Sequence, residues 1–152
     1  MSRERAHHAL DGTAKEASGF SDTAIRPHVR GMRDHKTLEA WIEVHRVVMT
    51  ALDFATLHWH PSLRSVYDQL TAAALSVQLN IAEGYGLGTK PLFLRHLRIA
   101  YGSSIETGDL LELLCERRVI SEPDGNEVLE HCKRCQRLLL GLIRKYQPPA
   151  HR

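Results

Sequence analysis

The densest set of reactive side chains lies in HCKRC, His131 to Cys135. Cys132 and Cys135 stand three residues apart, so on a helix both thiols face one way, and Cys115 from a neighbouring helix could join them. A structural zinc site takes four ligands, commonly as two such pairs. The chain has three cysteines in all and no second pair. Both thiols also fall on an apolar stripe, where free cysteine packs as a small hydrophobe. Core thiols are the reading, with metal or redox chemistry as the alternative.

A second candidate is the stretch NIAEGYGLGTKP, Asn80 to Pro91, whose Gly84, Gly88, Thr89 and Lys90 suggest a phosphate-cradling loop. The glycine spacing is one residue off GxxxxGK[ST], and Pro91 occupies the place of the hydroxyl that would ligate magnesium. A phosphate loop is also fed by a strand, and the residues before Gly84 read as a helix. A turn between helices fits better: Gly84 as the left-handed residue closing one helix, Gly86 and Gly88 allowing a tight reversal. Asn80 and Glu83 then share a face in the preceding turns. Asn is a poor helix-interior residue, so its side chain is expected to bond something specific.

Histidines give the remaining chemistry. His58 and His60 flank Trp59 beside Pro61 without a carboxylate at ligand spacing, which reads as surface or capping positions. His45 lies on an apolar stripe and reads as a hydrogen-bonded core residue. Arg30 and His35 match the Arg-x4–6-His spacing of helical ribonucleases, but Arg30 falls ahead of the periodic part of the chain. No Ser/His/Asp set or catalytic carboxylate pair stands out. The chain is expected to be no enzyme and to need no cofactor.

These residues are positioned by four apolar stripes at helical spacing. The first is Leu38, Trp41, His45, Val48, Leu52 and Ala55, widened by Ile42 and Met49. The second is Leu63, Val66, Leu70, Ala74, Val77 and Ile81. The third is Leu94, Leu97, Tyr101, Ser104, Gly108, Leu111 and Cys115. The fourth is Val128, Cys132, Cys135, Leu139, Leu142 and Tyr146, closed by Pro148 and Pro149. Thr89 with Pro91, and Ser121 with Pro123 and Asp124, have the chemistry of helix starts. The spacing predicts an all-α, antiparallel up-down-up-down four-helix bundle over 34–147, with helices of about 22 to 28 residues, roughly 35–40 Å long. Residues 1–33 lack apolar periodicity and read as a flexible leader, and 148–152 as a short tail.

At 152 residues the chain suits one domain with a real core. It has no apolar run of membrane-spanning length, no secretory apolar segment and an odd cysteine count, which together point to the cytoplasm. Its formal charge of +2 implies no nucleic acid by itself.

NIAEGYG, LFLRHLRIAYGSSIETGDLLEL and the opening LEAW resemble the bacterial four-helix-bundle proteins associated with intervening sequences in 23S ribosomal RNA genes. The likeness covers about Asp34 to Tyr146. It implies an up-down-up-down bundle forming a homopentamer, with nucleic-acid binding suspected. A group similar in fold, the accessory proteins of diversity-generating retroelements, partners a reverse transcriptase on RNA. The motif residues implied as structural are Asn80, Glu83, Gly84, Gly102, Ser103 and Glu106, with Arg98 among the basic ones. Leu87 and Tyr101 depart from the family pattern where a basic residue is common.

In an antiparallel bundle the starts of the first and third helices share an end with the finishes of the second and fourth. That end collects Lys36, Lys90, Arg95, His96, Arg98, Arg144 and Lys145 against Glu39 and Glu83. The opposite end collects Asp53, Asp68, Glu112, Glu116, Glu122, Asp124, Glu127 and Glu130 against Arg64, Arg117 and Arg118. A nearly neutral chain thus reads as dipolar, and an oligomer would repeat the basic cluster on one face. Lys90, Arg95, Arg98, Arg144 and Lys145 are the expected nucleic-acid contacts, made to phosphates and not to base edges. A partner protein, for example a reverse transcriptase encoded nearby, is the alternative.

Overall fold

A computed structural model of the chain describes residues 34–148. Asp34 opens a 3-10 turn, His35–Thr37, by accepting a bond from the Lys36 amide on its carboxylate. Four α-helices follow: α1 Glu39–Leu57, α2 Arg64–Gly86, α3 Lys90–Glu116 and α4 Glu122–Tyr146. Leader residues 1–33 and the last four residues of the tail, with Arg30 of the ribonuclease-like spacing, lie outside the described residues.

The turns follow local chemistry. His60 caps a 3-10 turn at Pro61–Leu63 that leads into α2. Ser121 caps α4 by accepting from the Asp124 amide, with Pro123 in the first turn, where its missing N–H costs nothing. Thr89 stands at the α3 cap position, but its side chain makes no capping bond there; Pro91 in the first turn sets the start. Only Gly88 between α2 and α3 has a positive φ, 71°, so it makes the left-handed step that reverses the chain.

Gly84 has a different task from the expected one. It is buried inside α2, two residues before the helix ends, and a Cβ placed there would lie 2.6 Å from the His96 Cβ. The missing side chain lets α2 and α3 approach closely beside Phe93. A glycine read only from its place before a turn looks like a cap, because the neighbouring helix that crowds it is invisible in local sequence.

Each helix packs against the two adjacent ones in the order α1–α2–α3–α4–α1, around one apolar core. Contacts run in opposite senses along neighbours: Gln69 meets Glu106 and Asn80 meets His96 between α2 and α3. Tyr85, Phe93 and Tyr146 close one end edge to face, with ring centres 6.1 Å and 5.2 Å apart. The architecture is the expected four-helix bundle, and none of the four helices is long and apolar enough to cross a membrane.

The stripes of α2, α3 and α4 face inward largely as their spacing predicts, including Leu70, Val77, Leu97, Leu111, Val128 and Leu139. The stripe on α1 does not. Its core face is Ala40, Val44, Val47, Val48, Ala51 and Phe54; of the predicted stripe Val48 is buried and Leu38, Trp41 and Ala55 pack against the core, while Leu52, Ile42 and Met49 stay exposed and His45 is a surface residue. The buried row is made of alanines and valines up to Phe54, and α1 is apolar on two faces. His45 stacks on Trp41 at 4.8 Å and lies 3.4 Å from Gln78, across the groove between α1 and α2.

A basic end and two polar seams

The antiparallel order brings the start of α3 and the finish of α4 together through Phe93 and Tyr146. Lys90, Arg95 and Arg98 on α3, and Arg144 and Lys145 on α4, are all exposed near that end. Arg144 and Lys145 occupy the last turn of α4, where a positive charge opposes the helix's negative pole. None of the five makes an ion pair within the described residues, and the Lys145 ammonium sits 5.7 Å from the Tyr146 ring centre. His96 does not belong with them. It is 8% exposed, and its Nδ1 shares a 2.9 Å hydrogen bond with the Asn80 carboxamide oxygen.

That bond is one rung of a polar ladder between α2 and α3. The Asn80 amide donates to the Ser76 carbonyl at 2.8 Å, which fixes its orientation and leaves its oxygen for His96. Ser76 and Ser103 share a hydroxyl–hydroxyl bond of 2.9 Å, and Gln69 donates to Glu106 at 2.5 Å. Glu83 is exposed, with a carboxylate oxygen 3.9 Å from the His96 ring. Asn80, Gly84, Ser103 and Glu106 therefore serve one seam. Gly102, next to Ser103, is exposed, and a Cβ added there would meet nothing within 4 Å.

The seam between α1 and α4 holds a group that apolar periodicity passes over. Glu43 is the buried acid of the core, 4% exposed. Its carboxylate accepts from His131 Nδ1 at 2.7 Å and is gripped by Arg46 and Arg134 at 3.3 Å each. The carboxylate accepts only, so a neutral His131 must carry its proton on Nδ1 and present Nε2 as the free acceptor. The acid at i with arginine at i+3, and HxxR on α4, are the sequence signals that could have flagged this cluster.

The thiols are inert. Cys132 donates to the Ser104 carbonyl and Cys135 to the Ala40 carbonyl, each at 3.5 Å. Burial pushes the Cys132 thiol up to about 11 and Cys135 higher still, with Cys132 and then Glu43 adding to the shift at Cys135. Cys115 packs against Gly125, away from any donor set. Among the described residues no three His, Cys, Asp or Glu side chains are placed to hold a metal ion.

Comparison with known proteins agrees with the motifs. No curated protein matches the chain. A crystal structure of a protein of unknown function from the S23 ribosomal protein family of Bacteroides thetaiotaomicron is similar at 20% identity and a TM-score of 0.60. The match covers 70% of this chain and 95% of that one, and shows the shared fold. The model of the family described as 23S rRNA-intervening sequence protein matches residues 36–141, well over half of the chain. With the NIAEG segment of α2, the α2–α3 ladder and the four-helix order in place, the chain belongs to the 23S rRNA-intervening sequence protein family.

Proposed function

We propose that this chain is a non-enzymatic, homo-oligomeric helical-bundle scaffold that binds RNA or DNA, or a ribonucleoprotein, through its basic end. The observation that carries the reading is the set of five exposed cations, Lys90, Arg95, Arg98, Arg144 and Lys145, with no acidic partner among the described residues. Cations already neutralised by carboxylates release few counterions; these five are free to release many from a phosphate backbone. Half-buried Tyr85 and Tyr146 are engaged with Phe93, so recognition rests on charge and shape.

Self-association is supported by apolar side chains that the single chain leaves uncovered. Ile42 and Leu52 on α1, and Leu75 and Leu79 on α2, stand exposed on the two helices whose groove is bridged by His45 and Gln78. Leu92, Ile99 and Leu113 line an outer face of α3. Two different apolar surfaces on one subunit suit a heterologous, ring-closing contact, and a homopentamer, the assembly that the resemblance implies, is the proposed ring. The same surfaces favour the second reading, a protein assembly factor such as a reverse-transcriptase accessory protein.

The test is a salt titration of binding to a labelled RNA hairpin and a DNA duplex, with light scattering on the same samples. Affinity is expected to fall with a steep log–log slope, and Arg95→Glu with Arg98→Glu to weaken binding at least about tenfold, or 1.4 kcal/mol. Unchanged binding in that variant, or a monomer by scattering, would overturn the scaffold reading.

A further inference from the structure

At the opposite half of the bundle, a cleft of about 680 Å³ runs between α1 and α4. It extends along α1 from His45 to His58, about 20 Å at helical rise, and along α4 from His131 back to Asp124. Phe54 and Val128 form its apolar floor, and Met49 and Leu57 stand on it, 49% and 76% exposed. This is the length and character of a groove that receives a few turns of an amphipathic helix.

Its charges select the occupant. Arg46 and His131 line the cleft but are committed to the buried Glu43 carboxylate. The carboxylates of Asp53 and Glu127 make no ion pair or hydrogen bond within the described residues, and Asp124 meets only the Ser121 hydroxyl. Free carboxylates thus ring an apolar floor while Arg46, the guanidinium that lines the cleft, is already held by Glu43.

We propose that the α1–α4 cleft docks a cationic amphipathic helix of a partner protein, with leucine-like side chains on Phe54 and Val128 and lysine or arginine heads against Asp53, Asp124 and Glu127. The site is separate from the basic end, so one subunit holds polyanion and basic protein at once, at opposite ends. This arrangement keeps a basic partner from competing with the scaffold for the same phosphates.

The probe is a fluorescein-labelled 14-residue helix of alternating leucine and lysine faces, titrated into the full-length protein. A matching peptide with glutamate for lysine serves as the control. Saturable binding of the lysine peptide is expected, weakened at least about tenfold by Asp53→Lys with Glu127→Lys. Glu116→Lys with Glu130→Lys, acidic positions outside the cleft, should leave it within about twofold. Met49→Ala with Leu57→Ala, exposed positions that do not hold the core, should also weaken it. Absence of saturable binding, equal capture of the glutamate peptide, or the same loss in the Glu116/Glu130 variant would each overturn the proposal. So would a loss of self-association in Asp53→Lys with Glu127→Lys, which would make a second copy the occupant.

Discussion

Two seams hold this bundle by opposite electrostatic means. Between α2 and α3 the half-buried rungs use uncharged amide and hydroxyl partners: the Asn80 carboxamide with the His96 ring, and Ser76 with Ser103. Between α1 and α4 a single buried carboxylate, Glu43, is held by an imidazole and two guanidiniums. Neutral rungs each trade a bond to water for a bond in the protein, and their loss is local and small. A buried charge is different, because its desolvation is offset only while its partners remain. One seam is therefore graded and the other close to all-or-nothing.

The sharpest way to break this contrast is to strip the partners from Glu43. Arg46→Ala, His131→Ala and Arg134→Ala together leave the carboxylate buried alone and should cost about 3–5 kcal/mol in urea unfolding. Adding Glu43→Leu to that variant should recover most of the loss, since an apolar residue needs no partner. A triple variant as stable as the original would dissolve the distinction between the seams.

Alkaline titration probes the same seam from the thiol side. Cys135 lies beside Glu43, and burial holds both it and Cys132 protonated. A thiol whose folded pKa is raised adds stability that is complete below its unfolded value and disappears as pH climbs through the folded one. For Cys132 that window runs from the ordinary 9.0 to about 11, a loss of about 2 kcal/mol by its upper end. Denaturant melts between pH 8 and 11 measure it, and Cys132→Ala with Cys135→Ala should flatten the curve. An equally steep curve in that variant would assign the loss to other groups.

The smallest effect is expected at the neutral seam. Asn80→Ala removes the acceptor of His96 while Glu83 stands 3.9 Å away at the surface, ready to take the imidazole. A cost of about 1 kcal/mol is expected, read from the same urea curves. A loss rivalling that of the stripped Glu43 would show that the ladder acts as one cooperative unit.

Much of this was legible in residue order. Three of the four core stripes follow from spacing alone, as do Ser121 as a cap and the helical, non-strand context that rules out a phosphate loop at Gly84 to Lys90. The α1 face misled because several of its large apolar residues lie off the core: Ile42, Met49 and Leu52 read as interior by size, while Ala40, Ala51 and the valines between them are buried with Phe54. The basic end was legible as a consequence of antiparallel topology. That His96 leaves it for the α2–α3 seam was not, since its imidazole has the same letter whether it faces solvent or Asn80. Glu43 escaped for a related reason: a carboxylate on a helix reads as solvated until His131, far away in sequence, is seen to bond it at 2.7 Å.

The sequence by itself determined the helical class, the number and order of the helices, a chain reversal between Asn80 and Pro91, and the family that the NIAEG motif signals. Periodicity and turn chemistry are local properties, and short links between long helices leave an antiparallel bundle as the economical packing. Only the tertiary structure decided which α1 face is interior, that Gly84 is a contact and not a cap, and which charges are spent inside the bundle and which are free at its ends. Those outcomes depend on pairs of residues brought together across seams, where the desolvation of one group is set by a neighbour dozens of positions away.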